Sequence, residues 1–453
     1  MSAQDTIVAL SSPVGESALA IIRLSGPLSA ELQIEITRKK SRLTERHATL
    51  CKYHDIKGLG LDSALFLSFS EGASFTGEAM LEIMPHGNPL IIHKILEDLL
   101  SRGCKMAEPG EFTRRAFLNG KMDLSQAEAV ADLIHARSNY SLEVARKQLN
   151  GSIGHKMSAL TDQLLEILSE IEAYIDFPEE DLPLDRSHGP VADLKALIEE
   201  VSSLIETNQY ASLLHDGIKT LIIGAPNAGK SSLINALVGS QRAIVSDVPG
   251  TTRDFIASYI MLESHRVEII DTAGLHLTED SIEQQGINKT LEQAQSADFF
   301  LLIMDSSQPP PVLPAAISAI LKPNNTIVIE NKIDLAESKA CPDYLKDCLH
   351  CPTSIIQKQG IEEFKKSWQS FLDKNLGLPN SKDAIVLNTR HTQSLKDSLA
   401  ALNEALQKLD SQEFSELVAL DLRTAIDGFS QVVGKIDNEA MLDKLFQKFC
   451  IGK

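Results

Sequence analysis

This 453-residue chain lacks the features that mark membrane and secreted proteins. No run approaches the roughly 18 apolar residues of a membrane span, and Asp5 precedes any long apolar stretch. We therefore expect no membrane partner and no secretory signal. The six cysteines show no disulfide framework, which favours reduced thiols in a cytoplasmic protein.

The sequence also lacks a standard zinc-binding pattern. Cys341, Cys348, His350 and Cys351 lie close together in the sequence, but their spacing matches no standard set of zinc ligands. Reduced thiols are the simpler interpretation, and a zinc site is the less favoured alternative.

Positive charge is scarce. The chain has 43 Lys and Arg against 62 Asp and Glu, which gives a formal net charge of −19. Such a surface repels nucleic acid on average, so any RNA contact must be local or must use a partner protein. The run Arg38–Arg42 is one basic segment, and a solvated loop is a simpler interpretation of it than an RNA site.

One segment carries specific chemistry. Residues 224–231 read GAPNAGKS, with two glycines separated by four residues and followed by Lys and Ser. An apolar run before it predicts a buried strand, and residues 231–238 predict a helix start, so backbone N–H groups would face a phosphate chain. Lys230 would reach the β and γ phosphates, and the Ser231 hydroxyl would coordinate Mg²⁺.

Two further motifs follow apolar runs. The first predicts contacts with Mg²⁺ and the γ-phosphate, and the second predicts which nucleotide base is bound. Asp271–Gly274 reads DTAG, where an Asp at a strand end can hold Mg²⁺ through water and a glycine N–H can sense the γ-phosphate. Asn331–Asp334 reads NKID, and the Asp334 carboxylate can accept both N–H groups of the guanine edge, which adenine lacks. The three motifs in this order predict guanine-nucleotide binding.

The residue that orients the attacking water is ambiguous. Ras-like GTPases usually place Gln directly after DxxG, but this chain has Leu275, whose apolar side chain cannot hold water. Glu283 lies further along the same stretch, with Glu279 and Asp280 as competitors. A solvated acidic surface is the alternative for each of them.

The segment Ser246–Asp254 predicts the first switch region, in which Thr252 would bind Mg²⁺ when the γ-phosphate is present. Its Pro-Gly turn could surround a potassium ion, with Asn227 as a further ligand, and that ion would neutralise phosphate charge. Arg253 is the rival cation, although a structural ion pair is its simpler role. We predict nucleotide contacts from Asn227, Ala228, Gly229, Lys230, Ser231, Ser232, Ser246, Asp247, Val248, Pro249, Gly250, Thr251, Thr252, Asp271, Thr272, Ala273, Gly274, Asn331, Lys332 and Asp334.

Periodicity divides the chain into four parts. Residues 1–119 mix short apolar runs with Gly and Pro turns, which predicts an α+β domain. Residues 120–215 and 380–453 predict helices, and a nucleotide-binding domain at 216–379 is inserted between them. The arrangement would let the nucleotide state move the helices.

Two local patterns support the helical parts. Ser125 and Glu128 predict a capping box at the first helix. A helical seam is predicted where leucines recur in steps of four and three, at Leu395, Leu399, Leu402, Leu406 and Leu409.

Longer matches carry a family resemblance. They are DTIVAL near the start, SFTGE at Ser74–Glu78, PGEFTRRAFLNGKMDLSQAEAVADLI at Pro109–Ile134, IDFPEED, GAPNAGKSSLINAL, DVPGTTRD, DTAGL and the terminal FCIGK. On these segments the whole chain resembles the MnmE (TrmE) family of tRNA-modification GTPases. The nucleotide motifs alone would also suit GTPases such as Era or Der.

The resemblance implies a multidomain fold and an activity. It implies an N-terminal α+β domain that binds tetrahydrofolate and dimerises, an α-helical bundle, and an inserted Ras-like α/β P-loop domain. The homodimer would form a heterotetramer with the FAD-binding protein MnmG (GidA). Together they would install a carboxymethylaminomethyl or aminomethyl group at C5 of the wobble uridine of certain tRNAs.

The resemblance also implies how the reaction is supplied and driven. The one-carbon unit would come from 5,10-methylene-tetrahydrofolate, for which 5-formyl-tetrahydrofolate is an analogue. GTP hydrolysis with Mg²⁺ and K⁺ would pair the G domains across the dimer. A regulatory switch, such as a ribosome-assembly GTPase, is the alternative, and folate binding by residues 1–120 separates the two.

The resemblance also implies roles for individual residues of this chain, at the positions that match the family's motifs. The folate contacts fall on four charged residues, Arg23, Glu82, Lys121 and Lys453. The potassium ligands fall on Asn227, Ser246, Val248 and Thr251. The magnesium ligands would be Ser231 and Thr252, and Glu283 would be the acid that orients the attacking water. Cys450 lies near the folate site without a catalytic role, and Ser354-Ile355-Ile356 replaces the usual SAK-type loop that supports guanine.

Overall fold

The computed structural model describes residues 5–176, 189–210, 217–239, 258–262, 265–271, 294–311, 313–336, 341–376, 385–411, 416–434, 442, 445–447, 449 and 451–452. The chain divides into two compact units. The first comprises Met1–Ala131, Lys147–Ser202 and Gln393–Lys453, and the second comprises Asp132–Arg146 and Ser203–Thr392. Each unit contains one six-stranded sheet.

The sheet of the first unit is mostly antiparallel. Its strands are β1 Ile7–Leu10, β2 Ile22–Ser25, β3 Thr49–His54, β4 Gly60–Phe69, β5 Met80–Met84 and β6 Lys105–Met106. They lie in the order β3-β4-β5-β2-β1-β6, and only β1 and β6 pair in parallel. Helices α1 Ser29–Thr37, α2 Pro89–Ser101 and α3 Glu111–Leu118 accompany them, which confirms the predicted α+β character.

Helices dominate the rest of this unit. Among the described residues, those lying wholly or mainly in this unit are α4 Leu124–His135, α6 Ser152–Asp176, α7 Pro190–Glu206 and, later in the chain, Thr389–Asp410 and Glu416–Val433, whereas α5 Asn139–Leu149 lies mainly in the second unit. The predicted leucine seam of Thr389–Asp410 is confirmed, because Leu395, Leu402 and Leu409 are buried. At Gly428 an added Cβ would lie 2.0 Å from Ser398 Oγ and 3.1 Å from the Ser394 carbonyl oxygen, so a glycine fits the close approach of these last two helices.

The predicted capping box was wrong by two residues. Helix α4 begins at Leu124, and the reciprocal bonds join Asp123 and Gln126 instead of Ser125 and Glu128. Asp123 Oδ1 accepts from the Gln126 N–H at 2.8 Å, and Gln126 Oε1 accepts from the Asp123 N–H at 2.9 Å. The earlier cap fits the same local rule, and it also places Leu124 in the core.

The second unit has a doubly wound parallel sheet. Its strands are β7 Ile218–Gly224, β8 Ser258–Leu262, β9 His265–Asp271, β10 Phe299–Asp305, β11 Thr326–Asn331 and β12 Leu349–Thr353. They lie in the order β12-β11-β10-β7-β9-β8, and only β8 is antiparallel. Besides α5, its described α-helices are α8 Lys230–Gly239, the short Ala315–Ser318 and Ile361–Asn375.

This strand order confirms the predicted α/β nucleotide-binding domain. The central strands β7, β10 and β11 are buried almost throughout, as expected for a parallel sheet covered on both faces. In neither unit does a described helix have the length and apolar character needed to cross a membrane.

Candidate nucleotide-binding site

The GAPNAGKS segment lies where the winding of the parallel sheet reverses. Strand β7 pairs with β9 on one side and with β10 on the other, so the chain leaves β7 at the topological switch point. Ligands of such sheets bind outside the carboxyl ends of the strands at this point. The loop after Gly224 then enters helix α8 at Lys230, which gives the strand–loop–helix context that the motif requires.

The loop backbone has a conformation suited to anions. Asn227 has a φ of 63° and Gly229 a φ of 110°, both in the left-handed region. A Cβ on Gly229 would lie 2.3 Å from Asn331 Nδ2, and one on Gly224 would lie 2.5 Å from the Ile303 carbonyl oxygen. Gly224 is therefore required by its close approach to a backbone oxygen, and Gly229 by its positive φ. Successive backbone N–H groups in such a turn form a concave site for anions.

Lys230 is held across this loop. Its ammonium donates to the Gly224 carbonyl at 2.8 Å and to the Ala225 carbonyl at 3.0 Å. Ser231 and Ser232 are exposed in the first turn of α8. The positive charge, the hydroxyls and the helix N-terminus converge as a triphosphate with Mg²⁺ would require.

Asn331 connects two of the predicted motifs. Its side chain is 3% exposed, and its Nδ2 donates to the Ala228 carbonyl at 2.8 Å. Its Oδ1 accepts from the Ile355 N–H at 3.3 Å. Asn331 therefore braces the phosphate loop against the segment after β12, which the sequence motif did not specify.

Lys332 and Asp334 follow Asn331 in a tight turn. Lys332 has a φ of 65°, and its ammonium lies 2.6 Å from Asp305 Oδ2. Asp334 is exposed, so its carboxylate is accessible to a guanine edge. The turn places both side chains at the carboxyl end of β11, beside the phosphate loop.

Asp305 is a site residue that the sequence analysis missed. Burial would raise the pKa of Asp305, but hydrogen bonds from Lys332 and from Ser307 outweigh burial and hold that pKa below its ordinary value. Its position in the sequence could have identified it, because Asp305 ends strand β10 at the same sheet edge as the three motifs.

The unusual Ser354-Ile355-Ile356 segment lies next to Asn331. Ile355 is buried and packs in the same core cluster as Ala228, whereas Ile356 is 84% exposed. The segment that replaces the expected SAK-type loop thus has one buried side chain, Ile355, and one apolar side chain in solvent, Ile356.

The predicted folate residues Arg23 and Glu82 form a cross-strand pair in the first unit. They face each other on β2 and β5, with Arg23 Nη2 lying 2.8 Å from Glu82 Oε1. The Arg23 guanidinium carbon lies 5.7 Å from the ring centres of both Phe75 and Phe112. Arg23 and Glu82 are only 20% and 13% exposed, so the pair is fixed by its surroundings.

Lys121 reaches the loop that carries Phe75. Its ammonium donates to the Gly72 carbonyl at 2.8 Å, and its side chain is exposed. The loop between β4 and β5 therefore lies between Lys121 and the Arg23–Glu82 pair.

The C-terminal segment also reaches this sheet. The Gly452 carbonyl accepts a hydrogen bond from Ser11 Oγ at 2.9 Å, directly after β1, and β1 pairs with β2 at Ala9 and Arg23. Lys453 itself and Cys450 lie outside the described residues.

Several predicted residues cannot be placed. Lying outside the described residues are Ser246, Asp247, Val248, Pro249, Gly250, Thr251, Thr252, Arg253, Thr272, Ala273, Gly274, Leu275, Glu279, Asp280 and Glu283. The backbone of Asp271 is described, and it pairs with Ile222 at the end of β9. The water-orienting and potassium assignments therefore stay predictions.

The cysteines near β12 pack as core residues. Cys351 belongs to the cluster beneath the phosphate loop, and Cys348 belongs to the separate cluster around Val328. Burial raises the pKa of Cys351 to about 11, assisted by the charge of Glu330. Across the described parts of both units, no group of three or more His, Cys, Asp or Glu side chains is arranged to hold a metal ion.

Comparison with known families covers nearly the whole chain. The profile of the MnmE helical domain matches residues 124–450, and the profile described as the N-terminus of the GTP-binding protein TrmE matches residues 6–121. The chain belongs to the MnmE family of GTPases. The fold and family predicted from the motifs are thereby confirmed.

Individual MnmE relatives match this chain in sequence over nearly their full length. The tRNA modification GTPase MnmE of Opitutus terrae is 44% identical over 453 residues, which cover 99% of each chain. The MnmE of Aquifex aeolicus is 37% identical over 451 residues, which cover 99% of this chain and 100% of the relative.

Solved structures show a more local likeness. The G domain of the T. maritima FeoB iron transporter is 26% identical, covers 34% of this chain and 98% of that chain, and has a TM-score of 0.24. Because this score is low, the fold assignment rests on the strand order and the family profiles.

Proposed function

We propose that this MnmE-family chain hydrolyses GTP to drive modification of C5 of the wobble uridine in certain tRNAs. The observation that carries the proposal is the phosphate loop braced by Asn331 at the switch point of the sheet. Two motifs separated by about a hundred residues meet there, as a shared nucleotide would require.

The nucleotide would be held by residues with distinct roles. Backbone N–H groups of the loop and the Lys230 ammonium would contact the phosphates, and Asp334 would accept from the guanine edge. Mg²⁺ would be bound by Ser231 and Thr252, and it would neutralise charge on the phosphates. Asp271, at the end of β9, would support the magnesium through water.

The hydrolytic step would depend on potassium and on an acid. Asn227, Ser246, Val248 and Thr251 would bind K⁺ with oxygen atoms, and Glu283 would orient the attacking water. Support from the described residues is confined to Asn227, which is exposed in the phosphate loop with its backbone fixed in the left-handed region.

The first unit would hold the one-carbon donor. The anionic tail of 5,10-methylene-tetrahydrofolate would suit Arg23, Lys121 and Lys453, and Glu82 would accept N–H groups of the pterin ring. The aromatic rings of Phe75 and Phe112, each 5.7 Å from the Arg23 guanidinium carbon, support this role, because a conjugated pterin ring would find aromatic neighbours there. A purely structural Arg23–Glu82 pair is the competing explanation.

The partners follow from the same proposal. A homodimer would pair its G domains, and the FAD-binding protein MnmG would join it in a cytoplasmic heterotetramer. GTP hydrolysis would supply the conformational change, and the flavin partner would supply the redox chemistry.

Hydrolysis measured in matched salts tests the nucleotide part. We expect GTP turnover to fall markedly when KCl is replaced by NaCl at equal ionic strength. Glu283→Ala should abolish turnover and retain GTP binding, whereas Glu279→Ala serves as a matched control that retains turnover. Equal rates in both salts would exclude the potassium mechanism, and nucleoside analysis of tRNA from a deletion strain would test the substrate.

A further inference from the structure

Positive charge is concentrated in one part of this acidic chain. Residues 38–57 contain seven Lys and Arg against two Asp and Glu, whereas the whole chain has a formal net charge of −19. This local excess opposes the average charge of the surface and attracts anions to that region.

The basic loop after α1 is fixed at both ends. Arg38 ends α1 with a φ of 54°, in the left-handed region. Leu43 is buried, and its N–H donates to Gln33 Oε1 at 2.9 Å. Four charged side chains between these anchors are exposed, namely Arg38, Lys39, Lys40 and Arg42.

The turn between β3 and β4 adds a fifth cation to this loop. A Cβ on Gly58 would lie 2.0 Å from an Arg38 guanidinium nitrogen, so Arg38 contacts the turn that carries the exposed Lys57. His54 Nδ1 also lies 3.2 Å from the Ile36 carbonyl oxygen, which joins the end of β3 to α1. We call the five residues Arg38, Lys39, Lys40, Arg42 and Lys57 the basic patch.

The acidic side chains of this region have other partners. Glu45 accepts from Ser70 Oγ at 2.8 Å. Glu35 pairs with Arg102 at 2.9 Å, and Asp55 accepts from the Leu59 N–H at 2.6 Å. Within the described ranges, no ion pair joins a carboxylate to any member of the basic patch. The five cations are therefore available to an external anion.

We propose that the basic patch binds the sugar-phosphate backbone of tRNA, an inference that rests on tRNA being the substrate in the proposed function. Lys and Arg contact phosphates without reading the bases, so the patch would position the RNA and leave sequence selection to other groups. A five-residue loop spans at most about 17 Å, which limits the contact to a few phosphates. This agrees with a chain whose remaining surface repels nucleic acid.

Charge neutralisation in the full chain tests the inference. The patch variant is Lys39→Gln/Lys40→Gln/Arg42→Gln, and the matched control is Lys94→Gln/Lys322→Gln/Lys396→Gln, with three exposed lysines on other elements. Both variants lower the net charge equally. Binding of bulk tRNA is measured by fluorescence anisotropy over a range of KCl concentrations, and GTP hydrolysis is measured in the same preparations.

We expect the patch variant to bind tRNA at least about tenfold more weakly at low salt. The slope of log affinity against log salt should fall in magnitude by about 2 to 3, because each lost phosphate contact contributes about 0.7 to 0.9. The control variant and the charge-conserving Lys39→Arg/Lys40→Arg/Arg42→Lys variant should match the wild type, and GTP hydrolysis should be unchanged throughout.

Two outcomes separate the inference from its premise. If wild-type chain binds tRNA and the patch variant binds it equally well, the inference is wrong and the patch serves another role, such as contact with an acidic protein. If wild-type chain retains no tRNA although it hydrolyses GTP, this inference is wrong, whereas the tRNA part of the proposed function fails only if tRNA from the deletion strain keeps its modified wobble uridine.

Discussion

Asn331→Ala tests whether the phosphate loop depends on one buried amide. The substitution removes the donor to the Ala228 carbonyl and the acceptor of the Ile355 N–H, and both partners lie in the domain core. Each buried group left without a partner costs about 1 to 2 kcal/mol. We therefore expect the free energy of unfolding of the second unit to fall by about 2 to 4 kcal/mol.

The chain provides its own probe for this measurement. Trp368 is the single tryptophan, and it is fully buried in the core cluster that contains Ala228 and Ile355. Urea unfolding followed by its emission therefore reports on the nucleotide-binding domain. The midpoint should fall by about 1 M with an unchanged slope, because stability changes while the surface exposed on unfolding does not.

Nucleotide affinity should fall in parallel. A loop without its brace must be reordered on binding, and each 1.4 kcal/mol of that cost weakens GDP binding about tenfold. We expect a loss of at least about tenfold in the Kd measured with a fluorescent GDP analogue.

A matched control distinguishes bracing from a general loss of stability. Asn375 lies in the same unit, and its Nδ2 donates to the Phe371 carbonyl at 2.8 Å at the half-buried end of a helix. Asn375→Ala should cost less than about 1 kcal/mol and leave GDP affinity unchanged. The reasoning is refuted if Asn331→Ala behaves like Asn375→Ala in both assays.

Three further predictions address pH, folate and thiol reactivity. Folding lowers the pKa of Asp305, so its stabilising effect is present above the ordinary carboxyl pKa of about 4 and is lost as the pH falls below it. Asp305→Asn should therefore cost about 1 kcal/mol at pH 7 and flatten the acid side of the urea midpoint curve, and an unchanged curve would contradict this. Arg23→Ala should weaken 5-formyl-tetrahydrofolate binding in calorimetry at least about tenfold while GTP hydrolysis persists, since it removes the cation paired with Glu82; unchanged binding would favour the structural pair. Burial raises the pKa of Cys104 and Cys351 to about 11, so their thiolate fraction at pH 8 is about one in a thousand. Both should resist alkylation in mass spectrometry until urea unfolds the chain, and rapid native labelling would exclude their burial.

The sequence predicted the chemistry at each motif better than the connections between motifs. The loop before Lys230 was predicted with its strand and helix, because phosphate binding needs glycines, Lys and Ser at fixed local spacing. Asn331 was predicted as a nucleotide contact, yet its observed partners are protein groups. Asp305 was missed because it belongs to no motif, and only the strand order places it beside Lys332.

The same limit applies to the first unit. Arg23 and Glu82 are 59 residues apart, and antiparallel pairing of β2 and β5 brings them together. The start of helix α4 was misplaced because two capping boxes of the same spacing overlap, and the one formed by Asp123 and Gln126 also places Leu124 in the core. A short pattern contains no information about the element that will cover it.

The amino-acid sequence by itself determined the family, the three nucleotide motifs and the alternation of strands and helices, because these depend on residue type and on spacing along a few turns of chain. Only the tertiary structure decided which motif braces another, which carboxylate pairs with Lys332, and how the basic loop meets the β3–β4 turn. These contacts join residues distant in the chain, and their energy depends on burial and on distances that the sheet topology sets.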